Sequence, residues 1–146
     1  MIFLSGNNME NRIQEEMKIF VRNYSIKTYK EDYNITCDLT YKYPVSKNRS
    51  RKYIKLLRNH LKSKGIFCDG IVVFEYNRSM DQLHNHILMY CKNEKHYKIH
   101  GTIFNFWKNY GFCRVEKYDK TRCYSEYICK YINITENQNW EFIMNL

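Results

Sequence analysis

The chemistry in this chain is concentrated first at His84 and His86, which stand in Leu83-His84-Asn85-His86-Ile87. In an extended strand, side chains two positions apart share a side, so both imidazoles point one way while Leu83, Asn85 and Ile87 point the other. Glu75 lies nine positions before His84, near the end of a preceding β-branched run, where a hairpin can bring its carboxylate beside the two rings. Two imidazoles and a carboxylate with open coordination positions suit a divalent ion, Mg or Mn, with Zn the less favoured choice. Such an ion can polarise a phosphate oxygen. Asp81, in the polar connection 77–82, is a reserve ligand. A His-x-His pair alone is often surface polarity, and it is the hairpin-placed Glu75 that favours a ligand set.

A second constellation is Tyr127-Ile128-Cys129-Lys130-Tyr131. On a helix, Tyr127, Lys130 and Tyr131 are neighbours at i, i+3 and i+4 and can address one place. A phenol is a poor nucleophile at neutral pH because its reference pKa is near 10. A cationic Lys130 and a nearby metal favour the phenolate and offset charge on a phosphorane-like transition state. The chain holds 14 tyrosines, so a tyrosine stripe at helical spacing can equally be packing.

Several elements must position these groups. Residues 34–41 alternate Ile35, Cys37 and Leu39 with Thr36, Asp38 and Thr40, the pattern of a half-buried strand, and Pro44 follows. Residues 47–64 place Tyr53, Leu57 and Leu61 one turn apart, with Ile54 in support and Gly65 to end a helix. That helix carries Arg49, Arg51, Lys52, Lys55, Arg58 and Lys62 without an acidic residue, so it can follow a phosphate backbone or simply be a solvated face. Residues 71–76 and 84–90 read as a β-hairpin. Ile99, Ile103, Phe104 and Trp107 share a helical face within residues 98–110, Gly111 is a stop, and residues 112–118 return to strand-like alternation. A last helix spans residues 120–132, a first one is expected from Ile13, Met17, Phe20 and Val21, and the tail with Trp140, Phe142, Ile143 and Met144 should dock.

With 146 residues the chain is expected to form one domain, a core at 34–132 with an N-terminal extension at 1–33 and a tail at 133–146. The 24 Lys+Arg against 15 Asp+Glu leave a formal charge of +9, which favours an anionic partner, nucleic acid by default. At 44% apolar and 16% aromatic it is too hydrophobic for a disordered tail. No apolar run reaches the length of a membrane span, roughly 18 residues. The opening Ile2-Phe3-Leu4 is too short for a signal peptide, so a cytoplasmic location without membrane contact is expected. Cys37, Cys68, Cys91, Cys113, Cys123 and Cys129 form no C-x-x-C and are read as reduced, small hydrophobes. The sequence leaves open a start at Met1 or at Met9.

In order and combination the elements resemble those of the HUH endonucleases that initiate rolling-circle replication of plasmids and small viruses. Three stretches carry the resemblance: NITCDLTY, then IVVFEYNRSMDQLHNHILMY, then FWKNYGFCRVEKYDKTRCYSEYICKYI. The YxxKY ending is similar to the two-tyrosine form of single-stranded DNA phage initiators. The resemblance implies an α+β, ferredoxin-like (RRM-like) antiparallel sheet whose central strands hold the metal, with the tyrosine helix over that site. It implies Glu75, His84 and His86 as metal ligands, Tyr127 as nucleophile, Lys130 as its helper, and Tyr131 as a possible second nucleophile, with Tyr124 competing. It also implies nicking and rejoining of a single-stranded DNA origin through a covalent 5′-phosphotyrosine. Asn85 departs from the family, whose middle residue is usually bulky and apolar; it should point away from the metal and so bears on packing.

Three look-alikes are weighed differently. The letters HNH are a coincidence, since HNH nucleases disperse those residues through another fold. Relaxases place their tyrosine before the histidines, whereas single-tyrosine HUH transposases share the later tyrosine and stay open. No G-x-x-x-x-G-K-S/T pattern occurs and little chain follows Ile132, so a separate helicase and the host replication machinery are expected partners, with a homodimer left open. From other classes, a non-catalytic single-stranded nucleic-acid-binding module would need no metal, and a zinc phosphoesterase would turn over without DNA.

Overall fold

The computed structural model describes residues 35–76, 82–91, 94–118 and 139–143, with Arg12, Glu15, Glu16, Met17, Ile19, Phe20 and Asn23 of the N-terminal stretch. These run β1 (Ile35–Leu39), α1 (Lys47–Ser63), β2 (Cys68–Tyr76), β3 (Leu83–Cys91), α2 (His96–Trp107), β4 (Cys113–Lys117) and β5 (Trp140–Ile143). The described N-terminal residues are helical, as their spacing predicts, and Arg12 reaches Glu16 one turn on at 3.4 Å.

Local signals explain the helix ends. Ser46 caps α1, its Oγ accepting from the Arg49 backbone N–H at 3.2 Å. At the other end Gly65 takes φ 76°, a left-handed conformation costly for a side chain. Ile66 N–H then donates to Leu61 C=O at 2.9 Å and Gly65 N–H to Lys62 C=O at 3.0 Å, the paired bonds of a Schellman stop. In α2 the helix ends at Trp107, short of the expected residue 110, because Trp107 is drawn into the core. There its indole Nε1 donates to the Thr40 carbonyl at 2.9 Å. Gly111 follows where the chain passes so close to Thr40 that an added Cβ would overlap that residue's carbonyl oxygen.

The five strands form one sheet in the order β4-β1-β3-β2-β5, with every neighbouring pair antiparallel. Without β5 this is the β-α-β-β-α-β, ferredoxin-like arrangement that the resemblance implies. The tail docks as expected, and it does so as a strand, pairing Trp140 with Val73 and Phe142 with Ile71 on the free edge of β2.

Strand alternation gives the sheet two distinct faces. One carries Cys37, Leu39, Val72, Phe74, Ile87 and Met89, and closes a core with Ile54, Leu57 and Leu61 of α1 and Ile99, Ile103 and Trp107 of α2. The other carries Asp38, Glu75, His84 and His86 by register, together with the buried Ile71, Val73 and Leu88. Among the described residues no helix is long and apolar enough to cross a membrane.

The expectation of six reduced cysteines is corrected. Cys68 and Cys91 are directly opposed at the end of the β2–β3 ladder, Cα atoms 4.4 Å apart, and form a disulfide. Absence of a C-x-x-C does not bear on such a pair, because antiparallel register joins residues distant in sequence. Cys37 and Cys113 are free thiols; Cys123 and Cys129 lie outside the described residues.

Candidate functional site

β3 is the middle strand of the sheet, so a side chain on it meets neighbours from β1 on one side and β2 on the other. His86 is opposite Asp38 of β1 and Val73 of β2, and His84 is opposite Glu75. His86 Nδ1 lies 2.8 Å from Asp38 Oδ1, and its Nε2 lies 2.9 Å from Glu75 Oε2, a diagonal cross-strand neighbour. The imidazole is therefore held at both nitrogens. Its side chain is only 12% exposed, against 43% for Asp38 and 33% for Glu75, so carboxylates take the place of most of the water around it.

This donor set fits a divalent cation. Adjacent donors of an octahedral ion with bonds of about 2.1 Å stand about 3 Å apart. The separation of His86 Nε2 from Glu75 Oε2 is 2.9 Å. His84 shares their face by its register with Glu75. Among the described residues no three His, Cys, Asp or Glu side chains close on one point, so Glu75 and His86 are gathered and His84 stands alongside. Asp81, Tyr124, Tyr127, Lys130 and Tyr131 lie outside the described residues.

Asp38 is the site residue that the alternation of β1 did not single out, since it read simply as the polar side of a strand. Its signal was present, because Asp38 is the acidic residue of β1, on the strand face that antiparallel pairing turns toward His86. Beyond it in the same row, Arg114 of β4 is opposite Asp38, and its guanidinium Nε is 2.7 Å from Glu116 Oε1. A cation thus stands on the site face.

Asn85 points away from His84 and His86, as expected, and is fully buried on the helix side. Tyr41 Oη donates to Asn85 Oδ1 at 2.6 Å, Asn85 Nδ2 donates to Ser50 Oγ at 3.0 Å, and the two hydroxyls are 2.7 Å apart. The polar residue in the ligand strand is thereby satisfied and pins α1 to β3 beneath the site. Burial pushes the Tyr41 phenol well above its usual value, with the Ser50 hydrogen bond opposing and Tyr53 adding. Burial likewise raises the Cys37 thiol, with Cys113 and Asp38 adding, and burial raises Cys113, so neither free thiol offers a thiolate at neutral pH.

The basic row of α1 belongs to the other layer, and the sheet separates it from His86. Arg49, Lys52 and Lys55 are exposed and Arg58 is half-buried. Arg51 turns toward the sheet edge, its Nε 2.8 Å from Glu141 Oε1 and its guanidinium carbon 5.7 Å from the Phe74 ring centroid. Arg51, Lys55, Arg58 and Glu141 help line a pocket of about 60 Å³ between α1 and β5.

A ferredoxin-like sheet with a histidine–carboxylate cluster on its central strands defines the class of protein. Over residues 28–136 the chain matches the family of replication-associated proteins of the ORF2 type, and it belongs to that family. No curated protein and no solved structure gives a significant match.

Proposed function

We propose that the chain is a replication initiator of the HUH type, a metal-dependent endonuclease and strand transferase. In this reading it nicks and rejoins single-stranded DNA at the origin of a plasmid or small viral replicon. The observation that carries it is the placement of Glu75, His84 and His86 on one sheet face, with Glu75 and His86 2.9 Å apart, in a member of a replication-associated family.

Glu75, His84 and His86 would hold Mg or Mn, which when bound supplies a positive charge that polarises a phosphate oxygen. The Tyr127 phenolate attacks the scissile phosphorus, the bond from phosphorus to the 3′ oxygen breaks, and the departing 3′-OH can prime synthesis. The 5′ phosphate stays on Tyr127 as a phosphodiester. Lys130 offsets charge in the transition state, and the retained ester lets a later 3′-OH reverse the step without ATP. Tyr131, or Tyr124, serves as a second nucleophile in the two-tyrosine form. Arg49, Arg51, Lys52, Lys55 and Arg58 contact phosphates of DNA beyond the scissile strand, because they lie across the sheet from Glu75. Host polymerase and a separate helicase complete the machinery, within the cytoplasm of the host cell.

The test is covalent capture. A 3′-end-labelled, randomised single-stranded oligonucleotide library with Mn²⁺ is expected to label the protein, and peptide mass spectrometry should place a nucleotide on Tyr127. Tyr127→Phe should abolish the adduct. An undiminished adduct in that variant would reject Tyr127 as nucleophile, and binding without any adduct would favour a non-catalytic module.

A further inference from the structure

We infer that Asp38 is a positioning residue that fixes the tautomer and orientation of His86 for a divalent cation; the inference rests on the metal-dependent reading above. An imidazole has two nitrogens, and the partner of one decides what the other can do. The Asp38 carboxylate is an acceptor only, so the 2.8 Å contact makes Nδ1 the proton-bearing nitrogen. In the neutral ring the lone pair is then on Nε2, on the side of Glu75 Oε2 2.9 Å away. An acceptor on Nδ1 also raises the electron density that Nε2 can share with a cation.

The backbone enforces this arrangement. Asp38 and His86 are direct partners in the β1–β3 ladder, and both neighbours of Asp38, Cys37 and Leu39, are locked into the core on the opposite face at 1% and 0% exposure. A one-residue slip would bury the carboxylate and expose the core, so the register that builds the hydrophobic layer also delivers the acceptor to the ring. With the His86 side chain only 12% exposed, water is a poor substitute for it.

Two readouts test the role in the full chain. The first is Mn²⁺ affinity, from the free-ion electron paramagnetic resonance signal, for wild type, His86→Ala, Asp38→Ala and Asp38→Asn. The second is the ¹⁵N spectrum of the His86 ring without metal, which separates the two tautomers. Loss of an outer hydrogen-bond partner typically weakens metal affinity by about 10–100-fold, and that loss is expected for Asp38→Ala. Asp38→Asn keeps an acceptor oxygen of the same shape and should recover part of the affinity and the Nδ1–H signature. It also stands in for Asp38→Ala should the latter fail to fold. Wild-type affinity in both folded Asp38 variants, with loss only in His86→Ala, would overturn the positioning role and leave the metal reading intact. Equal Mn²⁺ affinity in wild type and His86→Ala would overturn the metal site itself. A His86 ring protonated at Nε2 alone in the wild type would overturn the tautomer assignment directly.

Discussion

Asn85 sits between His84 and His86 with its amide in the core, and Tyr41 and Ser50 together satisfy it. A hydroxyl removed from such a closed set leaves a buried acceptor without its donor, which costs about 1–2 kcal/mol. Tyr41→Phe should therefore be less stable than wild type by that amount at pH 7 in chemical denaturation. The difference should shrink with alkali. The folded phenol is raised above its ordinary value of 10.0, so below pH 10 its contribution is complete. Above pH 10 the unfolded chain releases the Tyr41 proton first, and the wild type loses about 1.4 kcal/mol per pH unit from this group relative to the variant. A constant gap between pH 8 and pH 11 would show that the Tyr41 hydroxyl is not held in its neutral form. At this scale the sequence was legible for direction: the period of two sent Asn85 inward and His84 and His86 outward. It was silent on partners, because Asp38, Tyr41 and Ser50 reach them only through tertiary contacts at separations such as the 48 positions from Asp38 to His86.

Element by element, legibility follows the strength of the local pattern. β1 alternates strictly, and α1 has a cap, an apolar stripe and a glycine stop, so both fall where their residues place them. β2 begins at Cys68, earlier than the β-branched run at Ile71, because pairing to Cys91 draws Cys68-Asp69-Gly70 into the ladder although none of the three favours a strand. β5 is four residues long, and only the open edge of β2 makes it a strand. The Cys68–Cys91 bond closes a loop with a sequence separation of 23, for which chain entropy gives about 3 kcal/mol of stabilisation. Since the β2–β3 ladder already restrains that loop, the measured value should not exceed this. Reduction with a phosphine, or Cys68→Ser, should lower the denaturation midpoint accordingly. An unchanged midpoint, with two extra thiols titrating in the unreduced native protein, would show that the bridge is not formed.

At the scale of the whole molecule the charge and the site sit on different layers. The formal charge of +9 suits a polyanion, yet the exposed cations Arg49, Lys52 and Lys55 lie on α1, across the sheet from Glu75 and His86. If both layers touch DNA, the scissile strand and the strand or duplex on α1 are different segments, or one segment turns around the sheet edge. The two contributions then separate in a salt titration. Each phosphate neutralised on a single strand contributes about −0.7 to the slope of log affinity against log salt. Lys52→Gln with Lys55→Gln should therefore weaken binding of a long single-stranded oligonucleotide and flatten that slope by roughly 1–1.5, while leaving Mn²⁺ affinity at the wild-type value. His86→Ala should do the reverse, losing Mn²⁺ affinity at a nearly unchanged salt slope. An unaltered slope in the double lysine variant would assign α1 to solvent and move the DNA contact to the face of Arg114, whose guanidinium shares the side of the sheet that bears Asp38 and His86.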